Sequence, residues 1–84
     1  MNRPLSVIAR EIHSECNGKP WYVYAEAYVV PMMSLNSITD TYYYDSAESI
    51  VRYALSNLTY WRGDVARRVK AELNAILKGV AVNG

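Results

Sequence analysis

Residues 45–79, DSAESIVRYALSNLTYWRGDVARRVKAELNAILKG, carry the pattern that decides the fold of this 84-residue chain. Apolar side chains recur there at intervals of three and four residues in two consecutive runs, the spacing of amphipathic helices. Trp61, Arg62 and Gly63 separate the two runs. The stretch therefore predicts two helices that pack against each other and are joined by a tight reversal at the glycine.

The first of these helices is predicted to start at Asp45, whose carboxylate would cap the free N–H groups while Glu48 reaches back to complete a capping box. Its inner face is predicted to consist of Ala47, Ile50, Val51, Ala54, Leu58 and Trp61. The second helix is predicted to begin near Asp64 and to end at Gly79. Its inner face is predicted to consist of Val65, Val69, Leu73, Ile76, Leu77 and Val80.

Residues 4–16 predict a further helix, because Pro4 suits a first helical turn and apolar residues follow at helical spacing. Those residues are Leu5, Ile8, Ala9, Ile12 and Cys16. Asn17 and Gly18 then favour a helix end.

Residues 21–33 are ambiguous. The run WYVYAEAYVV has the aromatic and β-branched content of a strand, whereas a helix would place Tyr24, Tyr28, Met32 and Leu35 on one face. Pro31 opposes a continuous helix, since proline inside a helix costs about 3 kcal/mol.

The favoured fold is mainly α, a bundle of three to four helices in one domain spanning residues 1–84. The alternative is an α+β fold with a strand or hairpin within residues 20–44, and residues 36–44 form a loop in either case.

Composition narrows the class of protein. The formal net charge is +1, and the longest run without charge, residues 27–39, is shorter than the roughly 20 apolar residues of a membrane span. Arg10, Glu11 and Glu15 interrupt any apolar core of a secretory signal, so we expect a cytoplasmic protein that does not enter the membrane. One cysteine allows no internal disulfide, which leaves close packing or self-association, including a homodimer, as sources of stability.

Tyr42, Tyr43 and Tyr44 are the first candidate binding residues. The chain has eight tyrosines and no phenylalanine, and tyrosine offers large contact area with a hydroxyl that is stable in water or in a hydrogen bond. Three consecutive rings in one loop cannot all point inward, so we expect at least one to be exposed. The alternative is that these rings only cover helix ends.

The last predicted helix carries the second candidate set. Arg67, Lys70 and Lys78 are predicted to lie on its outward side, where they could follow a phosphate backbone. The alternative is a solvated face on which Asp64 pairs with Arg68. Arg62, beside Trp61, is a candidate aromatic–cation contact, although the corner also has a purely structural explanation.

Catalytic and metal-binding patterns are weak. His13 and Cys16 supply only two of the three or four ligands that zinc needs. They could also form a thiol nucleophile and its base, but no third group is predicted to orient such a pair. Asp40, Asp45 and Glu48 are explained by capping. The glycines are isolated, with no phosphate-binding loop. We therefore expect no enzyme activity, no metal and no cofactor.

The chain resembles a family of small uncharacterised proteins of bacteriophages and related mobile elements. The resemblance rests on Ser49-Ile50-Val51, on Trp61-Arg62-Gly63, and on Ala66-Arg67-Arg68 followed by Lys70, Glu72 and Leu73. It covers roughly residues 5–78 and implies helices over the N-terminal, tyrosine-to-methionine and two C-terminal segments, and it is the reason that a helix is favoured over residues 21–33. The chain departs from the family pattern at Pro31, where a helix-compatible residue is usual, and at Tyr43, where glycine is common.

The resemblance implies no known activity. Small phage-borne proteins are often accessory factors that bind and disable a host defence machine, anti-CRISPR proteins among them. The expected function is therefore stoichiometric binding of a host protein or complex such as CRISPR–Cas. The alternative is a nucleic-acid-binding module that uses the basic face of the last helix.

Overall fold

The computed structural model describes the backbone of residues 3–83 and the side chains of residues 3–79. The elements in this part of the chain are α1 (Leu5–Cys16), α2 (Tyr22–Met32), β1 (Thr41–Tyr42), β2 (Asp45–Ser46), α3 (Ala47–Ser56) and α4 (Asp64–Asn83). The prediction of a mainly helical fold is confirmed, and residues 21–33 are helical over most of their length. Strand β1 of the small antiparallel hairpin lies in the segment predicted to be a loop, whereas β2 takes up Asp45 and Ser46, where the next helix was predicted to begin.

All four helices contribute to one cluster of buried side chains. Helix α2 packs against both α1 and α3. Leu5, Ile8 and Ile12 of α1 and Leu73 of α4 are completely or almost completely buried. No helix in residues 3–83 is long and apolar enough to cross a membrane.

Helix α1 follows the predicted pattern. Pro4 stands immediately before it, and the Leu5 N–H donates to the Asn36 carbonyl at 3.0 Å, which ties the start of the helix to the loop after α2. Gly18 has φ +94°, a left-handed conformation that only glycine adopts at low cost, so the chain reverses directly after the helix.

The residues predicted to share one face of helix α2 do not share one environment. Tyr22, Ala25, Val29 and Met32 are buried, whereas Tyr24 is 68% exposed. The helix carries one charged residue in eleven, so apolar residues lie on every side and the sequence pattern does not define an inner face. Packing against α1 and α3 decides which side is buried.

Pro31 lies in the last turn of α2, and the helix ends at the next residue. Its missing N–H therefore removes one hydrogen bond, to the carbonyl of Ala27, and no helix runs beyond the proline to be kinked. Leu35 is buried, but it lies after the helix and not on the helix face on which the spacing placed it.

The predicted cap of α3 is wrong by one residue. Ser46 is the N-cap, and its Oγ accepts a hydrogen bond from the Ser49 N–H at 3.1 Å. Asp45 is instead paired with Tyr42 in the hairpin. It therefore belongs to the strand and lies one residue before the N-cap position. Glu48 does not complete a capping box, because its carboxylate accepts from Arg52 Nη2 at 2.9 Å. The six residues predicted for the inner face are all buried, but α3 ends at Ser56, so Leu58 and Trp61 lie after the helix and not on its face.

Helix α4 begins at Asp64 as predicted but does not end at Gly79. It continues to Asn83, since Gly79 has no left-handed backbone conformation to end it. Val65 is only half-buried and Val80 lies outside the described side chains. Gly63 has φ +112° and permits the reversal between α3 and α4.

Candidate functional site

The hairpin presents two of its three tyrosines to solvent. Tyr42 is half-buried and packs against the core, whereas Tyr43 is 84% exposed and Tyr44 is fully exposed. The rings of Tyr42 and Tyr43 meet edge to face with centroids 4.8 Å apart. The hairpin therefore carries one ring that anchors it to the core and two that are open to a partner.

Tyr43 has an unusual backbone conformation. Its φ is +55°, and it is the only non-glycine residue with positive φ in residues 3–83. In a two-residue hairpin loop a first position with positive φ is usually glycine, because a side chain there is strained by about 1 to 2 kcal/mol. A large, exposed aromatic side chain at such a position is not explained by the packing of the chain itself.

The loop before the hairpin is held by Asp40. Its Oδ2 accepts hydrogen bonds from the N–H groups of Asn36 and Ser37 at 2.9 and 3.0 Å, which lowers the pKa of the Asp40 carboxyl. Its carbonyl accepts from the Ala47 N–H at 2.8 Å. These bonds close the loop across the base of the hairpin, so the tyrosines stand on a defined support.

A groove of about 540 Å³ lies beside the hairpin, between α2 and α3. Its walls include the rings of Tyr28 and Tyr53, which stack with centroids 5.4 Å apart and an interplanar angle of 25°. We call it the tyrosine groove, and its lining consists of Ala27, Tyr28, Pro31, Tyr42, Asp45, Ser49, Ile50 and Tyr53. It joins Tyr42 of the hairpin to Tyr28 and Tyr53, which are not among the predicted binding residues.

The outer face of α2 is continuous with this groove through Ala27. Val23, Tyr24 and Val30 are 60%, 68% and 48% exposed. The one charged residue of the helix, Glu26, lies towards α1, with Oε2 4.0 Å from His13 Nδ1. The outer face of α2 is therefore uncharged and apolar, which is typical of a surface that another chain covers.

The basic residues predicted to form a binding stripe are mostly engaged within the chain. Lys70 is half-buried and its Nζ donates to the Trp61 carbonyl at 2.6 Å, so it does not lie on an outward face. Burial, and secondarily the charge of Arg62, lowers its pKa. Arg67 pairs with Asp64 on the surface. Arg62 and Lys78 are exposed.

The sequence suggested that Arg68 pairs with Asp64, and the structure shows that it does not. It pairs with Glu11 of α1, and Arg3 Nη2 lies 2.8 Å from the same carboxylate and 2.7 Å from Glu72 Oε1. The hydrogen bonds from Arg68 and Arg3 lower the pKa values of Glu11 and Glu72 respectively. The ion pairs bring α1, α4 and the segment before α1 together.

His13 and Cys16 do not form a reactive pair. The His13 Nδ1 lies 2.8 Å from the Tyr22 hydroxyl, and Cys16 is fully buried, which raises the pKa of its thiol to about 11. A thiol with so high a pKa is a poor nucleophile at neutral pH. No group of three potential metal ligands occurs in the described part of the chain.

Tyr28, Tyr53 and Asp45 are the site residues that sequence reasoning missed. Tyr53 is not among the residues predicted for the inner face of α3, so the sequence pattern could have identified it as an exposed ring. Tyr28 was grouped with Tyr24 and Met32 by spacing alone, and no pattern marked it as a groove residue, because α2 is apolar on all sides. Comparison with known protein families, curated proteins and solved structures gives no match, so the family resemblance stays a prediction.

Proposed function

We propose that the protein acts by stoichiometric binding of a partner protein, through Tyr43 and Tyr44 of the hairpin and through the tyrosine groove. The observation that carries this proposal is Tyr43, a large exposed ring on a backbone position that favours glycine. Strain of this kind is kept where it serves a site. Tyrosine is also one of the residues on which interface energy concentrates.

The surroundings of Tyr43 support the same proposal. The tyrosine groove and the uncharged outer face of α2 adjoin the hairpin, so aromatic and apolar surface extends over one side of the molecule. Tyr43 and Tyr44 would form the exposed edge of the contact. A homodimer through the outer face of α2 remains the alternative occupant of this side.

The biological setting of the proposal rests on the family resemblance. The protein is proposed to be a phage or mobile-element accessory protein that works in the cytoplasm of a bacterial host and binds a host protein or complex, with CRISPR–Cas as one target. The rival function is nucleic-acid binding through α4. That rival is weakened because Lys70 and Arg67 contact groups of their own chain, although Arg62 and Lys78 remain exposed.

Parallel affinity capture from host lysate tests the proposal. The parent, Tyr43→Gly with Tyr44→Ser, and Arg62→Ala with Lys78→Ala would serve as the three baits, each first shown to melt as a folded domain. We expect a host protein in stoichiometric amount on the parent and the basic-residue variant, and its loss on the tyrosine variant. Retention by the tyrosine variant and loss by the basic-residue variant would contradict the proposal.

A salt titration of DNA and RNA binding tests the rival. Contacts between basic side chains and phosphates release counterions, so affinity would fall steeply as salt rises. We expect no such binding above the non-specific level. Binding that weakens with salt and is lost in Arg62→Ala with Lys78→Ala would favour the nucleic-acid function.

A further inference from the structure

We propose that the tyrosine groove receives an arginine side chain of the partner protein. This inference rests on the proposed function and specifies the chemistry of the contact. It follows from three properties of the groove: its aromatic walls, its single carboxylate and its rigid support.

The walls of the groove offer ring faces to a cation. Tyr28 projects from α2 and Tyr53 from α3, and their rings stack on each other, which leaves the outer ring faces of the stack for a cation. Tyr53 is 55% exposed. The face of a tyrosine ring carries partial negative charge and attracts a cation within about 6 Å of its centre. Tyr42 adds a third ring to the lining.

The charge of the groove is negative. Asp45 is the one ionisable carboxylate among its lining residues, and no Lys or Arg side chain lines it. Asp45 is exposed and has no ion-pair partner among residues 3–79. A carboxylate beside aromatic faces, with no cation of its own chain opposite, is complementary to a positively charged ligand.

Arginine fits these groups better than lysine does. Its planar guanidinium stacks on aromatic rings, is more weakly hydrated than an ammonium and offers five N–H donors. Asp45 would accept two of them, and the Ser49 Oγ, which donates its own proton to the Ser46 carbonyl at 3.0 Å, keeps lone pairs that accept another.

The groups that would hold the guanidinium are already in place. The backbone of Asp45 is held by its pairing with Tyr42 across the hairpin, and Tyr28 and Tyr53 stand on helices that pack against each other. A groove built on such elements loses little conformational entropy when it binds.

An NMR titration of the ¹⁵N-labelled protein tests the inference. The probe is the peptide acetyl-Gly-Arg-Gly-amide, and its control replaces arginine with citrulline, which has nearly the same shape without the charge. We expect the arginine peptide to shift the amide signals of Asp45, Ser49 and Tyr53 in a saturable way at millimolar concentration. The citrulline peptide should leave them in place.

Four variants sharpen the result. Asp45→Asn should weaken peptide binding at least about threefold, while Glu15→Gln, which removes one negative charge from the exposed side of α1, should bind as the parent does. Tyr53→Leu should weaken binding about two- to fivefold, and Tyr53→Phe, which keeps the ring, should not. Thermal melts would first show that each variant is folded.

Several results would overturn the inference. These are equal binding of the citrulline peptide, parent-like binding by Asp45→Asn, or groove signals that move with protein concentration alone because a second copy occupies the groove. The proposed function is tested separately: if Tyr43→Gly with Tyr44→Ser still loses the captured host protein while the arginine peptide fails to bind, only the arginine assignment is wrong.

Discussion

Gly63 and Tyr43 both adopt left-handed backbone conformations in turns, and they do so at different cost. Gly63, at φ +112°, has no Cβ and reverses the chain between α3 and α4 without strain. Tyr43, at φ +55°, has a large side chain, and among the aromatic contacts of the described residues its ring meets only Tyr42. This single ring contact offsets only part of the strain. We therefore attribute the presence of tyrosine at this position to the proposed contact with a partner protein.

The cap of α3 gives a residue-scale prediction. Ser46→Ala should lower the free energy of unfolding by about 1 kcal/mol, because the Ser49 N–H loses its acceptor. Asp45→Ala is the matched control and should change the free energy of unfolding by less than about 0.5 kcal/mol, since Asp45 is exposed and does not cap. Urea unfolding followed by circular dichroism measures both. The reverse order of effects would show that Asp45 is the cap.

At the scale of elements, α2 differs from its neighbours. Helices α1, α3 and α4 each bury an apolar stripe and expose polar residues, whereas α2 is apolar on the buried and the exposed sides alike. Such a helix is normally enclosed. Its place on the surface, with Val23 and Tyr24 exposed, leaves apolar area for another chain to cover.

Packing of the helices gives the prediction at this scale. Leu73→Ala in α4 and Ile50→Ala in α3 should each lower the free energy of unfolding by about 2 to 5 kcal/mol, because each leaves a cavity among completely or almost completely buried neighbours. Val23→Ala, an exposed position in α2, is the control and should have little effect. Thermal melts that leave both core variants at the parent's melting temperature would show that these side chains do not pack in the core.

The elements also show where sequence reasoning succeeds. The four buried residues of α3 and the start of α4 were predicted, since one face of each helix is apolar and the other polar. The buried side of α2 was not, because Tyr24 and Tyr22 are equally apolar and only tertiary packing distinguishes them. Asp45 was assigned to the α3 cap because a two-residue strand leaves no periodic pattern to reveal the hairpin.

The candidate site was only partly visible in the sequence for the same reason. The run Tyr42–Tyr44 is apparent by eye, but the groove exists only once α2 and α3 bring Tyr28 and Tyr53 together. The engagement of Lys70 with the Trp61 carbonyl likewise depends on the path of the chain through the reversal.

On the scale of the whole molecule, ion pairs join segments that are distant in sequence. Arg3 bonds Glu72 through two hydrogen bonds, of 3.1 and 2.7 Å, and Glu11 lies between Arg3 and Arg68. The pKa values of Glu11 and Glu72 are lower than their usual 4.5 in the folded protein. Their charged forms therefore favour folding above pH 4.5, and this contribution is lost as the pH falls through the folded-state pKa values.

This pH dependence is the prediction for the whole molecule. The melting temperature of the parent should fall as the pH drops below about 4.5. Glu72→Gln should be less stable by about 1 kcal/mol at pH 7, because Arg3 loses a charged acceptor, and should lose less stability on acidification. Glu48→Gln removes an exposed pair with Arg52 and should change stability by less than about 0.5 kcal/mol. Identical acid profiles for the parent and Glu72→Gln would contradict the assigned role of Glu72.

The central claim, that Tyr43 is kept for contact with a partner and not for the fold, is tested most directly by calorimetric titration of Tyr43→Gly with the captured partner. Loss of an interface anchor should weaken affinity about thirtyfold or more. Glycine relieves the strain at φ +55°. The free energy of unfolding of Tyr43→Gly should therefore lie within about 1 kcal/mol of the parent's. A folded Tyr43→Gly protein that binds the partner with the parent's affinity would contradict the claim.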